Sequence, residues 1–139
     1  MQNSKRNSKI YYIFRIVIVV IIAIAFFLGT RPAKVTIDNN IIKISGLYGV
    51  ELRAEDVTHL ELREVLPNIL ARTNGMDLFG IAQRGIYKLE ELGRTRLISF
   101  SDGGPFILMQ TGSEWIVINY KNSEETESLY NELTYVIKD

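Results

Sequence analysis

His59 is the only histidine in the chain, two residues before Glu61 and four before Arg63. An acyl-transfer triad needs a histidine to take the proton from its nucleophile, so any Ser–His–Asp arrangement here must use this one. His59 and Glu61 could also supply two metal ligands from one face of a strand. No third or fourth ligand stands at a recognisable spacing, however, and there is no cysteine to add a thiolate. A solvated strand face with alternating charges explains the same three residues more simply. Catalytic, metal and cofactor roles are therefore not assigned to any residue.

Gly75, Gly80 and Gly85 recur every five residues without forming a phosphate-binding loop, because Ile81 stands where that motif requires lysine. Backbone freedom at turns accounts for them. Arg72, Arg84, Lys88, Arg94 and Arg96 make the one local excess of positive charge in the second half of the chain. They read either as solvated strand faces paired with Glu90 and Glu91, or as a patch for an anionic partner or a bilayer.

The elements that would carry these residues begin with an apolar run. Ile10 to Leu28 contains one charge, Arg15, and no proline. As a helix it is roughly 29 Å long, close to the hydrocarbon thickness of a bilayer, and a lone span must be helical to satisfy its own backbone. Arg15 lies near one end, where its stem can carry the guanidinium to the interface beside Tyr11 and Tyr12. A cleaved leader is the competing reading, since Ala23-Ile24-Ala25 has the small-x-small form. Phe26, Phe27 and Leu28 continue the apolar run past that point and favour a retained anchor.

Charge is segregated around this run. Residues 1–34 hold six basic and no acidic residues, and the remaining ten basic and sixteen acidic residues leave the rest at −6. The basic flank of Lys5, Arg6 and Lys9 favours the N-terminus inside and the domain outside, in an extracytoplasmic position. An acidic domain has the wrong sign for indiscriminate nucleic-acid binding, so nucleic acid is not an expected partner.

The organisation expected is a basic arm over 1–9, a transmembrane helix over 10–29, a linker over 30–34 and a domain over 35–139. In that domain, runs of β-branched and aromatic residues alternate with turn signals. Val35–Ile37 and Ile41–Ser45 flank Asp38-Asn39-Asn40 as a hairpin, and Gly46 and Gly49 bracket a bend before Val50–Arg53. Val57–Leu66 is read as one strand stopped by Pro67, and Ile69–Arg72 leads to Asn74-Gly75 as a turn. Ile86–Leu89 is read as the next strand. Arg94–Phe100 and Phe106–Thr111 are read as a hairpin around Asp102-Gly103-Gly104-Pro105, followed by a strand over Trp115–Tyr120. The β series is read as a sandwich or barrel of about seven strands, some of these runs being parts of one strand or bend. A helix should follow, capped by Asn122 or Ser123, with Leu129, Tyr130, Leu133, Val136 and Ile137 on its apolar face.

Ile44-Ser45-Gly46-Leu47-Tyr48-Gly49, Asp56-Val57, Arg72-Thr73-Asn74-Gly75, Gly85-Ile86-Tyr87 and Trp115-Ile116-Val117-Ile118-Asn119 resemble the bacterial pleckstrin-homology-like families of small membrane proteins. The resemblance covers about residues 35–137. It implies a mainly β fold, a seven-stranded sandwich or barrel capped by a C-terminal helix, and implies no reaction. Members that bind phosphoinositides carry basic residues in the first hairpin loop, where this chain has Asp38-Asn39-Asn40. The expectation is a non-enzymatic, single-pass membrane protein whose domain binds a protein or peptide partner beside the membrane. The alternative is direct contact of Arg72, Arg84, Arg94 and Arg96 with anionic lipid.

Overall fold

A computed structural model describes residues 2–78 and 82–138 of the chain. The chain divides into two compact units, Met1–Arg31 and Pro32–Asp139. Gly80 and Ile81 lie outside the described residues.

The first unit is one helix, α1 (Gln2–Thr30). Its stretch Ser8–Thr30 is long and apolar enough to cross a membrane, and none of its most apolar window is buried. The same length and composition also fit a signal sequence. Near the C-terminal end the Thr30 hydroxyl donates to the Phe26 and Phe27 carbonyls at 3.1 and 3.2 Å. This back-bonding serves two of the carbonyls that a helix end leaves without partners.

The second unit is mainly β, with nine strands in two sheets among the described residues where the sequence suggests about seven. A three-stranded antiparallel sheet comprises β1 (Val35–Asp38), β2 (Ile41–Ile44) and β3 (Val50–Arg53). Its first hairpin forms as expected. Asp38 is registered with Ile41, and Asn39 and Asn40 both take positive φ, +48° and +63°, which a two-residue type I′ turn requires.

The larger sheet contains β4 (Val57–Arg63), β5 (Ile69–Leu78), β6 (Ala82–Leu89), β7 (Gly93–Ser99), β8 (Phe106–Thr111) and β9 (Glu114–Asn119). Their order is β4-β8-β9-β7-β6-β5. Three sequence expectations change here. The strand expected over Val57–Leu66 ends at Arg63, so Glu64 to Asn68 form a connection. Asn74-Gly75 is not a turn but lies inside β5. Gly75 is registered with Gly85, and a Cβ on Gly75 would sit 2.8 Å from the Gly85 Cα. Close approach of two backbones, not chain reversal, explains the pair.

The third change is the largest. β7 and β8 do not pair with each other: β9 lies between them, parallel to β7 and antiparallel to β8. Asn119, at the end of β9 and buried, holds the connection that makes this possible. Its Oδ1 accepts from the Ser99 hydroxyl at 2.9 Å and the Phe100 N–H at 3.0 Å. Its Nδ2 donates to the Ser101 and Gly103 carbonyls at 3.2 and 3.1 Å. One amide thus shapes residues 99–103 into a wide loop instead of a tight turn.

The last element, α2 (Ser123–Lys138), starts at the expected cap, with the Asn122 Oδ1 accepting from the Glu124 N–H at 2.8 Å. Leu129 and Leu133 are buried, and Tyr130, Val136 and Ile137 pack beside them. α2 and the three-stranded sheet contribute to one core with the same face of the large sheet, through Ile42, Ile44, Ile98, Ile107, Met109, Ile116 and Ile118. The opposite face holds a second cluster of Tyr87, Leu89, Leu97, Phe106, Leu108 and Val117, against which Trp115 packs.

Asn119→Ala removes all four side-chain bonds and leaves the buried Phe100 N–H without its acceptor. The expected cost is about 3 kcal/mol, lowering the midpoint of thermal unfolding by roughly 10–20 °C. Thermal unfolding of the full chain in detergent measures this; an unchanged midpoint contradicts the role given to Asn119.

Candidate functional site

β4 brings His59, Glu61 and Arg63 onto the face of the large sheet that carries Trp115, because alternate strand residues share a face. His59 Nε2 lies 3.2 Å from Glu61 Oε2, and its ring meets the Trp115 ring edge-on at 5.4 Å between centroids. Arg63 donates to Glu61 through Nε at 2.8 Å and Nη2 at 3.2 Å. Its Nη1 reaches Glu91 at 3.3 Å. These bonds, first the one from Arg63 and then the one from His59, hold the Glu61 carboxyl below its usual range. The same carboxylate raises Arg63 further above its ordinary value.

This network ties β4 to the β6–β7 turn. No hydroxyl bonds to His59 among the described residues, and no group of three His, Asp or Glu side chains there is placed to hold a metal. His59 therefore sits in a hydrogen-bonded polar ladder braced by an indole.

The five basic candidates separate. Arg84 is buried under the Gly46–Gly49 bend, with its guanidinium 4.3 Å from the centre of the Phe100 ring, and burial pushes its pKa down. Arginine still remains charged there. Arg96 is ion-paired with Glu114 at 3.1 Å and donates to the Tyr48 carbonyl at 3.3 Å. It fastens the Gly46–Gly49 bend to the sheet. Arg72 lies on the other face, registered with Tyr87. The Tyr87 hydroxyl is pushed up by burial and by Asp77, with Arg72 opposing. Only Lys88 and Arg94 are both exposed and directly opposite one another.

Glu90 and Glu91 do not neutralise that pair, contrary to one sequence reading. Glu90 accepts from the Asn68 side chain at 2.8 Å, and Glu91 accepts from Arg63.

A feature that the sequence did not expose lies along β4. Among the described residues this strand ends the six-stranded order and pairs with β8 alone, so they leave the other rail of its backbone unused by the sheet. A register shift at Thr58 bends it. Beside it runs a groove of ≈ 230 Å³ lined by Val57, Thr58, His59, Leu60, Tyr130, Thr134, Ile137 and Lys138. Strand and helix assignments alone could not find it, because it depends on which strand ends the sheet and where α2 lies. The amphipathic pattern of α2 was the only available signal.

No protein-family model matches the chain, and no curated protein or solved structure is significantly similar to it.

Because Glu61 has a lowered pKa in the folded state, its contribution to stability is present above the ordinary carboxylate range and fades as pH falls through the folded value. Glu61→Gln should flatten the loss of stability between about pH 5 and about pH 3. Denaturant midpoints across that interval measure it; an acid limb as steep as that of the parent rules it out.

Proposed function

We propose that the chain is a non-enzymatic, single-pass membrane protein whose β domain captures an extended segment of a partner protein beside the bilayer. The observation that carries this reading is the free edge of β4 running along the groove against α2. An added strand would bond to the unused backbone rail. One of its alternate side chains, an apolar one, would drop between Leu60, Tyr130 and Ile137.

Retention of α1 as an anchor is part of the proposal, supported by an apolar run that continues past the small-x-small site. The N-terminus lies inside and the domain outside, on the bias of flanking basic residues. Affiliation with the pleckstrin-homology-like families is also proposed. The C-terminal helix packed on a β core supports it, while nine strands and a parallel pair depart from the seven-stranded pattern.

Photo-crosslinking side chains placed at Thr58 and at Thr134 of the full chain, in its native membrane, test the reading. Both positions should give the same discrete adduct, and Glu51, exposed on β3, should give none. Absence of an adduct at both groove positions, or an equal adduct at Glu51, removes the proposal.

A further inference from the structure

One end of the large sheet combines two features that β4 and α2 do not use. Ile69 is registered with Leu89, Ala71 with Lys88, and Lys88 with Arg94, so the start of β5 and the β6–β7 turn lie at one end of the sheet, with Ile69 on the Leu89 face and Lys88 and Arg94 on the opposite face. The first feature is the cation pair. Like charges directly opposite on neighbouring strands destabilise a sheet, yet among the described residues no carboxylate bonds to either Lys88 or Arg94. The acids of the adjoining turn are drawn to Asn68 and Arg63 instead.

The second feature is exposed aliphatic surface. Leu70 is 59% exposed and Ile69 40%, and Val65, in the connection just before them, is 73% exposed. Three exposed aliphatics within six residues of an acidic domain are not needed to solubilise it.

We infer that this end of the sheet rests on an anionic lipid surface. The sheet stands end-on to that surface: Leu70 and Ile69 at the tip of β5 enter the headgroup boundary, and Lys88 and Arg94, on the face opposite Ile69, meet lipid phosphates. The aliphatic tips and the paired cations suit that surface together: lipid admits small apolar side chains without a complementary pocket and supplies mobile anions that relieve the Lys88–Arg94 repulsion. Residues 31–34 reach at most about 14 Å. A retained anchor therefore keeps the domain close to the bilayer. The inference shares that anchor with the proposed function but not the β4 groove, and the intact mass of the membrane-bound chain checks the anchor separately.

The chain contains no cysteine, so Leu70→Cys gives a single site for an environment-sensitive fluorophore. The full chain is reconstituted in vesicles of phosphatidylcholine alone or mixed with phosphatidylglycerol. In the mixed vesicles at low salt, quenching of the label by acrylamide should fall several-fold. High salt should restore quenching. The same label at Glu51 should not respond.

Lys88→Glu with Arg94→Glu should weaken docking on the order of 30-fold, as expected for the loss of two basic contacts. The single change Arg94→Glu should weaken docking while raising the unfolding midpoint, because it turns a repulsive cross-strand pair into an attractive one. Lys88→Gln with Arg94→Gln repeats the test without adding acid. Equal quenching in both lipids overturns the inference, as does protection that survives charge removal. Protection seen only in native membranes also overturns it and assigns this surface to a protein.

Discussion

The placement of β9 between β7 and β8 constrains the rest of the domain. A strand in that position has a neighbour on each side, and its two faces belong to different cores: Ile116 and Ile118 point to one, Val117 to the other. All three are fully buried. Inserting it requires the preceding connection to step across the width of a strand, and Asn119 supplies the bonds that hold this crossing open. Buried polar groups that are fully bonded specify one arrangement, because any other leaves some of them without partners. The Tyr120 N–H then bonds to the Thr126 hydroxyl at 2.9 Å, which joins the end of β9 to the first turn of α2. Sheet order and helix placement thus follow from one short stretch.

That same order makes β4 one of the two end strands of the large sheet, β5 being the other. With β9 in the middle, β8 pairs outward with β4, and β4 becomes one end of the sheet. The helix launched from β9 runs beside that edge and forms the groove. The polar ladder His59–Glu61–Arg63–Glu91 braces the other side of β4 and ties the strand to a distant turn. Such partly exposed pairs contribute little stability individually. Their use here is positional: they hold the strand that carries the free edge.

The sequence discloses local structure well and long-range pairing poorly. The Asn39-Asn40 turn, the cap at Asn122 and the apolar face of α2 were legible because each depends on residues close together in the chain. Asn74-Gly75 misled, since the glycine serves a close approach to Gly85 ten residues away. Asp102-Gly103-Gly104-Pro105 misled in the same way: its composition fits a hairpin, but a residue sixteen positions later sets its course. The basic cluster was visible as composition. Its division into a buried Arg84, an ion-paired Arg96 and an exposed Lys88–Arg94 pair was not, because strand alternation and register decide which side of the sheet each residue takes. The groove was invisible for the same reason.

The central claim is that β4 offers an open edge while β9 is locked at the centre. Amide hydrogen exchange of the full chain in a lipid bilayer tests it most directly. The account predicts that the amides of Ile116, Val117 and Ile118 exchange only through global opening, and that outward-facing amides of β4 exchange at least about 100-fold faster. Protection along the whole of β4 equal to that of β9 would contradict it, since the edge would then already be covered.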